Sequence, residues 1–176
     1  LDDAHRAYLA LLEKGHPPSR LAVAGDSAGG GLTLALLQRL RDEGRPLPAC
    51  ALMFSPWVDL TLTETPLTVP GEAMLNRHWL AFAANAYAGD ERDGPGASPL
   101  LGNLDGLPPL LIQTGSDEIL ANDSERLAEA LDGADCDARY QRYPGRWHVF
   151  QLHAGMLHDA DLALAECRDF LHRHWH

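Results

Sequence analysis

The stretch that decides how this chain folds is Gly25-Asp26-Ser27-Ala28-Gly29. The apolar run Leu21-Ala22-Val23-Ala24 comes directly before it, and a leucine-rich run starting at Gly30 follows. This order predicts a strand, a sharp turn and a helix, which is the context of a nucleophile elbow. The turn forces its central residue into a strained backbone conformation, so Gly25 and Gly29 are expected to leave room for it. Ser27 should then be exposed at the carboxyl end of the strand.

The chain has 176 residues, of which 45% are hydrophobic, and this suffices for the core of one domain spanning residues 1–176. It contains no apolar stretch of about 18 residues and no signal-peptide pattern, so we expect a soluble, cytoplasmic protein without stable membrane insertion. The net charge of −11 argues against nucleic acid or an anionic membrane as a partner. Cys50, Cys136 and Cys167 lack C-x-x-C spacing and are interpreted as buried free thiols.

Apolar strand-like runs alternate with amphipathic helical runs, which is typical of an α/β fold: a mainly parallel sheet with helices on both faces. Strands are expected at residues 21–24, 49–54, 110–114 and 138–143, and helices at 2–14, 28–41, 76–87, 122–131 and 159–172. The last of these strands alternates in polarity as a more exposed edge strand does. The sequence therefore predicts a sheet of about four strands.

The segment from residue 55 to 109 is too long for an ordinary connection between a strand and a helix. It holds one predicted helix with an apolar face, between loops bounded by prolines. Ligands of α/β proteins bind beyond the carboxyl ends of the strands, so an insertion there is a candidate cap or pocket wall. Leu75, Trp79 and Phe82 are the candidate pocket residues. Alternatively, the helix simply covers the sheet.

A serine hydroxyl becomes a nucleophile when a neutral imidazole takes its proton and a carboxylate fixes the tautomer of that imidazole. After an elbow of this kind, the acid precedes the histidine along the chain. Asp117 lies just past the third predicted strand and His148 follows the fourth, so Ser27, Asp117 and His148 form the predicted triad. Glu118 and Asp123 are the alternatives for the acid.

Other histidines compete with His148 for the role of base. His153 and His158 come later, on or near the last helix, and His172, His174 and His176 form the end of the chain. His148 is preferred because its loop directly follows a strand. The terminal His-x-His-x-His spacing could bind a metal weakly, but a solvated helix end is the better interpretation, and no metal site is predicted.

Several motifs in this order resemble the hormone-sensitive-lipase family (bacterial family IV) of α/β-hydrolases, bacterial carboxylesterases especially. They are residues 23–30 around the elbow, Ser55-Pro56-Trp57-Val58-Asp59-Leu60, Ser98-Pro99-Leu100, Gly106-Leu107-Pro108-Pro109 and the segments around Asp117 and His148. The resemblance covers essentially the whole chain. It implies hydrolysis of small-molecule esters with short to medium acyl chains through an acyl-serine intermediate, without a cofactor. It also implies a homodimer formed through the last strand and helix.

In the pattern of that family, Ser27 is the nucleophile, His148 is the general base and then acid, and Asp117 orients it. The backbone N–H of Ala28 is one oxyanion donor. Family members also have an upstream His-Gly-Gly-type loop that supplies further oxyanion donors, and these 176 residues do not contain it. The family sheet also has more strands than the four predicted here. We therefore expect the C-terminal portion of a longer hydrolase, in which the first strand has an unpaired edge.

Two further functions stay open at this point. An amidase, peptidase or sugar deacetylase would use the same triad, because specificity depends on the pocket rather than on the triad. A receptor-like member of the fold would bind a ligand without catalysis after losing a triad residue. The presence of all three triad candidates argues against the receptor.

Overall fold

The computed structural model describes residues 1–176. Four strands and five α-helices follow one another in the predicted order. They are α1 (Asp2–Glu13), β1 (Ala22–Asp26), α2 (Ala28–Asp42), β2 (Cys50–Phe54), α3 (Arg77–Ala88), β3 (Leu110–Gly115), α4 (Ala121–Asp132), β4 (Ala138–Tyr143) and α5 (His158–His174). Short 3-10 turns cover Pro18–Arg20, Pro99–Leu101 and Phe150–His153. The predicted α/β class is therefore confirmed.

The four strands form a single parallel sheet in the order β1-β2-β3-β4. One row of the register runs from Ala24 through Leu52 and Leu111 to Arg139. In a parallel sheet all carboxyl ends lie at the same edge, so the loops after β1, β2, β3 and β4 meet there. These loops carry Ser27, the start of the insertion, the predicted acids and His148 respectively.

Helices cover both faces of the central strands, and β2 and β3 are buried along almost their whole length. On one face, Met53 and Ile112 pack against Leu34 of α2 and Leu127 of α4. On the opposite face, α5 lies over β2 and β3, and this contact buries the side chains Cys50, Leu52, Leu111, Cys167 and Phe170. Cys50 and Cys167 are buried free thiols, as predicted, whereas Cys136 is only half-buried.

Strand β1 lies at one edge of the sheet and pairs with β2 alone. Its residues alternate between exposed and half-buried: Ala22, Ala24 and Asp26 are exposed, while Val23 and Gly25 face α2. The expected unpaired edge is thus present in this chain. Unpaired N–H and C=O groups along such an edge can pair with another strand.

The predicted helix of the insertion is α3, and it does not cover the sheet. Its buried residues Leu80 and Ala84 pack against the loops that follow β2 and β3, in a cluster with Trp57, Leu60 and Ile119. The insertion therefore lies at the carboxyl edge of the sheet, beside the predicted site. None of the helices has the length and apolar character needed to cross a membrane.

Candidate active site

Ser27 occupies the turn between β1 and α2 with φ 53° and ψ −121°. A positive φ is uncommon for a residue with a side chain, and such strain is typical of functional turns. The turn is tied to the end of β2: the Ser27 N–H donates to the Phe54 carbonyl at 2.9 Å, and the Trp57 N–H donates to the Ser27 carbonyl at 2.9 Å. The elbow predicted from the sequence is therefore present.

The glycines around Ser27 differ in how much space they need. A Cβ at Gly25 would lie 2.1 Å from the Gly29 carbonyl oxygen, so a side chain is excluded there, as predicted. A Cβ at Gly29 would meet open space, so the prediction that Gly29 must lack bulk is wrong for this chain. Two further close approaches are at Gly30 and Gly31, where a Cβ would lie 2.6 Å from Pro56 Cβ and 2.1 Å from the Trp57 carbonyl oxygen. The run of three glycines from Gly29 to Gly31 is the signal in the sequence for these close approaches.

His148 forms a buried pair with Glu118. Its Nδ1 lies 2.7 Å from Glu118 Oε2, and the two residues are only 3% and 1% exposed. The other carboxylate oxygen, Oε1, accepts hydrogen bonds from the Gly115 N–H at 3.1 Å and from the Thr114 hydroxyl. Because both oxygens of Glu118 are held, the carboxylate has a fixed direction toward the imidazole.

The prediction that Asp117 orients His148 is therefore wrong on the geometry of the structure. The Asp117 carboxylate accepts a hydrogen bond from the Ser116 hydroxyl, and its N–H donates to the Arg146 carbonyl at 2.9 Å. Of the two neighbouring carboxylates in the bend after β3, the one that faces His148 is that of Glu118.

The loop that carries His148 is fixed beside the end of β2. The Val149 N–H donates to Ser55 Oγ at 3.0 Å, and Ser55 directly follows β2, the strand next to β1. Val149 has φ 50° and ψ 43°, a left-handed conformation that is an outlier for a β-branched residue. His148 is thus held in a strained turn that reaches back across the edge of the sheet toward the elbow.

The rival histidines lie elsewhere. His153 packs edge-on against Trp147, with ring centroids 5.3 Å apart, and His158 begins α5. His172 and His174 belong to the last turn of α5. No three or more His, Cys, Asp or Glu side chains group together as a metal site would require.

The hydroxyl of Ser27 makes no hydrogen bond in this structure, while His148 is bonded through its Nδ1 to Glu118. Ala28 is the first residue of α2, so its backbone N–H has no acceptor within the helix and is free to bind an anion.

An apolar cavity of about 300 Å³ opens at Ser27. Residues of the elbow and α2 form its floor, and Trp79, Ala83 and Tyr87 line it from one face of α3 at a spacing of four residues. The lining consists of Ser27, Ala28, Gly29, Gly31, Leu32, Trp57, Leu60, Trp79, Ala83, Tyr87, Gly96 and Ala97. The insertion therefore forms one wall of the space above the serine.

Of the three predicted pocket residues, only Trp79 lines this cavity. Leu75 packs beside the buried cluster formed by Trp57 and Leu60. Phe82 is 71% exposed and does not line the cavity. The prediction fails for Leu75 because it precedes α3. It fails for Phe82 because the lining residues of α3 are Trp79, Ala83 and Tyr87, which follow one another at a spacing of four residues.

Asp123, the other alternative for the acid, has a different position. It is buried, and its Oδ2 accepts the N–H groups of Val58 and Asp59, each at 3.0 Å. Burial raises the pKa of Asp123 to about 7, against the opposing effect of these two hydrogen bonds. Asp123 thus holds the segment that brings Trp57 to the cavity and does not contact His148.

Asp59 in the same network carries the opposite shift. Burial acts to raise its pKa, but hydrogen bonds from Thr61 and Arg126 outweigh that effect and hold the pKa below its usual value. The Arg126 guanidinium lies 2.7 Å from Asp59 Oδ2. Asp59 is therefore a charged carboxylate, and Asp123 beside it is a carboxyl group that is readily protonated.

Comparison with known proteins yields related enzymes over nearly the whole chain. An acetyl-hydrolase of Streptomyces hygroscopicus is 42% identical over 97% of this chain and 58% of its own length. An esterase of Acinetobacter venetianus is 37% identical over 97% of this chain and 57% of its own length. The chain thus spans somewhat more than half the length of the curated relatives it matches.

Solved structures give the same relationship in three dimensions. EstE5 superimposes with a TM-score of 0.94 at 36% identity, covering 99% of this chain and 60% of EstE5. An esterase from the bacterial hormone-sensitive lipase family superimposes with a TM-score of 0.89 at 36% identity, covering 97% of this chain and 58% of that structure.

The family profile described as alpha/beta hydrolase fold matches residues 1–152. That match includes the elbow, the insertion and the His148 loop, so it covers every part of the site. Together with the superposition on an esterase of the hormone-sensitive-lipase type, it shows that this chain belongs to the hormone-sensitive-lipase family of α/β-hydrolases.

Proposed function

We propose that this protein is a serine carboxylesterase that hydrolyses esters with short to medium acyl chains through an acyl-serine intermediate. The observation that carries the proposal is the buried pair of His148 and Glu118 in a loop tied to the same sheet edge as the strained Ser27. Such a pair has the arrangement of a base and its orienting acid. The esterase and acetyl-hydrolase names of the relatives support the same activity.

In the proposed reaction, Ser27 Oγ attacks the ester carbonyl carbon while His148 Nε2 takes the hydroxyl proton. Glu118 Oε2 keeps the other ring proton on Nδ1, so Nε2 stays free to accept, and it stabilises the imidazolium that forms. The Ala28 N–H donates to the oxyanion of the tetrahedral intermediate, assisted by the positive end of α2. The C–O bond to the alcohol then breaks and His148 returns its proton to the leaving oxygen.

Water repeats these steps on the acyl-enzyme: His148 takes a proton from water, the hydroxide adds to the acyl carbon, and Ser27 leaves with the proton. One ester and one water thus give one acid and one alcohol. No electron transfer or cofactor enters this scheme.

The cavity supports the proposed range of substrates. Its volume of about 300 Å³ is at the lower end of the range for ligand pockets, and its lining is mainly hydrophobic. A short or medium acyl chain fits such a space, and each buried methylene contributes about 0.8 kcal/mol to binding. The pocket therefore favours neutral acyl groups of limited length.

The test is hydrolysis of p-nitrophenyl butyrate by the protein expressed from its complete gene. Ser27→Ala removes the nucleophile, and we expect kcat to fall by about 10³-fold or more. Ser19→Ala, at an exposed position in the first 3-10 turn, is the matched control and should keep full activity. Undiminished turnover by Ser27→Ala would contradict the proposal.

A further inference from the structure

A loop of the insertion lies directly on the loop that carries Glu118. We name residues 64–75 the insertion loop and residues 115–120 the acid loop. Glu72 of the insertion loop accepts the N–H of Ile119 at 2.6 Å through its Oε2. Its Oε1 accepts the N–H groups of Met74 and Leu75 at 2.7 and 2.9 Å. One carboxylate therefore holds its own turn together and joins it to the acid loop.

Further contacts bring the same two loops together. A Cβ at Gly71 would lie 2.8 Å from Asp117 Cβ, so the backbone of the insertion loop touches the acid loop with no space between them. The Asn122 side chain, just past the acid loop, donates to the Glu64 carbonyl at 2.8 Å. Ile119 is buried in a cluster against which Leu75 packs. Packing places the loops together, and Glu72 fixes their register.

The hydrogen bond from Ile119 acts on the peptide unit of Glu118 itself. The N–H of that unit belongs to Ile119 and is accepted by Glu72, while its C=O accepts the Ala121 N–H at 3.1 Å. The plane of the peptide is thus held at both ends. Without Glu72 one end is released, and rotation of the plane would turn the Glu118 side chain away from His148.

We propose that Glu72 is a positioning residue for the catalytic acid: it holds the backbone of Glu118 so that the carboxylate points at His148. The inference rests on the proposed function, in which His148 needs a fixed carboxylate. It assigns the insertion a second role besides lining the cavity, because the insertion also aligns the acid–base pair. Misplacement of a catalytic group by about 1 Å can cost about 10²-fold in rate.

The test compares Glu72→Ala with Glu64→Ala in the complete protein. Glu64 is the matched control because it lies in the same loop and its exposed side chain makes no hydrogen bond. The rate of hydrolysis of p-nitrophenyl butyrate is divided by the number of active sites, which is measured by titration with an organophosphate. The resulting kcat per site excludes unfolded molecules, because these do not react with the organophosphate. We expect Glu72→Ala to lower kcat per site by about 10- to 100-fold with KM changed less than about twofold. Glu64→Ala should leave both constants unchanged.

Glu72→Gln keeps one acceptor oxygen and should lie between the wild type and Glu72→Ala. If the alanine variant does not fold, Glu72→Gln serves as the test instead. We expect it to lower kcat per site by at least about threefold. A kcat per site equal to that of the Glu64 control, or a change in KM or in the number of sites alone, would overturn the inference. Failure of the proposed function is distinct, since the wild type would then show no hydrolysis that depends on Ser27.

Discussion

Replacing Glu118 by glutamine tests which carboxylate is the acid of the triad. The structure places Glu118 beside His148, whereas the sequence favours Asp117. Glutamine has nearly the same shape but only one acceptor oxygen. That oxygen should take the place of Glu118 Oε1, which accepts hydrogen bonds from both the Thr114 hydroxyl and the Gly115 N–H. The amide NH₂ group then faces His148 Nδ1. Nδ1 can accept a hydrogen bond from this group only if Nδ1 has lost its own proton.

The consequence is that the ring proton moves to Nε2, the atom that must accept the proton of Ser27. Replacing the carboxylate by an amide in a serine protease triad lowers kcat by about 10⁴-fold for this reason. We expect a fall of similar size for Glu118→Gln, equivalent to about 5 kcal/mol of transition-state stabilisation. Asp117→Asn should change kcat less than about threefold, since Asp117 contacts Ser116 rather than His148.

The assay is the steady-state rate with p-nitrophenyl butyrate for both variants of the complete protein, with thermal unfolding measured in parallel to show that each is folded. A large loss in Asp117→Asn together with near-normal turnover in Glu118→Gln would refute the reasoning. In that case the acid would be the residue that the sequence favoured.

Two further predictions concern the cavity wall. Trp79→Ala should enlarge the cavity and raise the ratio of kcat/KM for octanoate esters to kcat/KM for butyrate esters by at least about threefold. Phe82 does not line the cavity, so Phe82→Ala should leave this ratio unchanged. An equal effect of both substitutions would contradict the assigned lining. Because burial raises the pKa of Asp123 from its usual 3.8 to about 7, the folded state binds this proton more tightly than the unfolded state. The free energy of unfolding should therefore fall between about pH 4 and pH 7, by at most about 4 kcal/mol from this group. The Asp123→Asn side chain carries no charge, so the melting temperature of this variant minus that of the wild type should rise with pH across that window. A difference in melting temperature that does not change with pH would contradict the raised pKa of Asp123.

The sequence predicts the elements well because their signals are local. The apolar run before Gly25 and the glycines that follow specify a strand, turn and helix within a few residues, and the structure has β1, Ser27 and α2 there. The same holds for β3, which starts with the apolar run Leu110-Leu111-Ile112 that is typical of a buried strand. Order along the chain also predicts that the loop of His148 follows the fourth strand, and the structure has it after β4.

The errors concern directions of side chains, which depend on contacts distant in sequence. Asp117 and Glu118 are neighbours with the same chemistry, and the choice between them depends on Thr114, Gly115 and His148. Phe82 is a stronger hydrophobic signal than Ala83, yet Ala83 lines the cavity because it lies one turn from Trp79 on α3. Such choices follow from packing of the insertion against the sheet edge, which no local pattern encodes.

The most direct test of the central claim is the mass of the complete protein after reaction with an organophosphate. We expect one adduct per chain, located on the peptide that contains Ser27, with the rate of labelling strongly reduced in Glu118→Gln. An activated serine requires both the elbow and the buried pair, so this result would support the proposed triad as a unit. Absence of an adduct at Ser27, or labelling of another residue while ester hydrolysis continues, would contradict it.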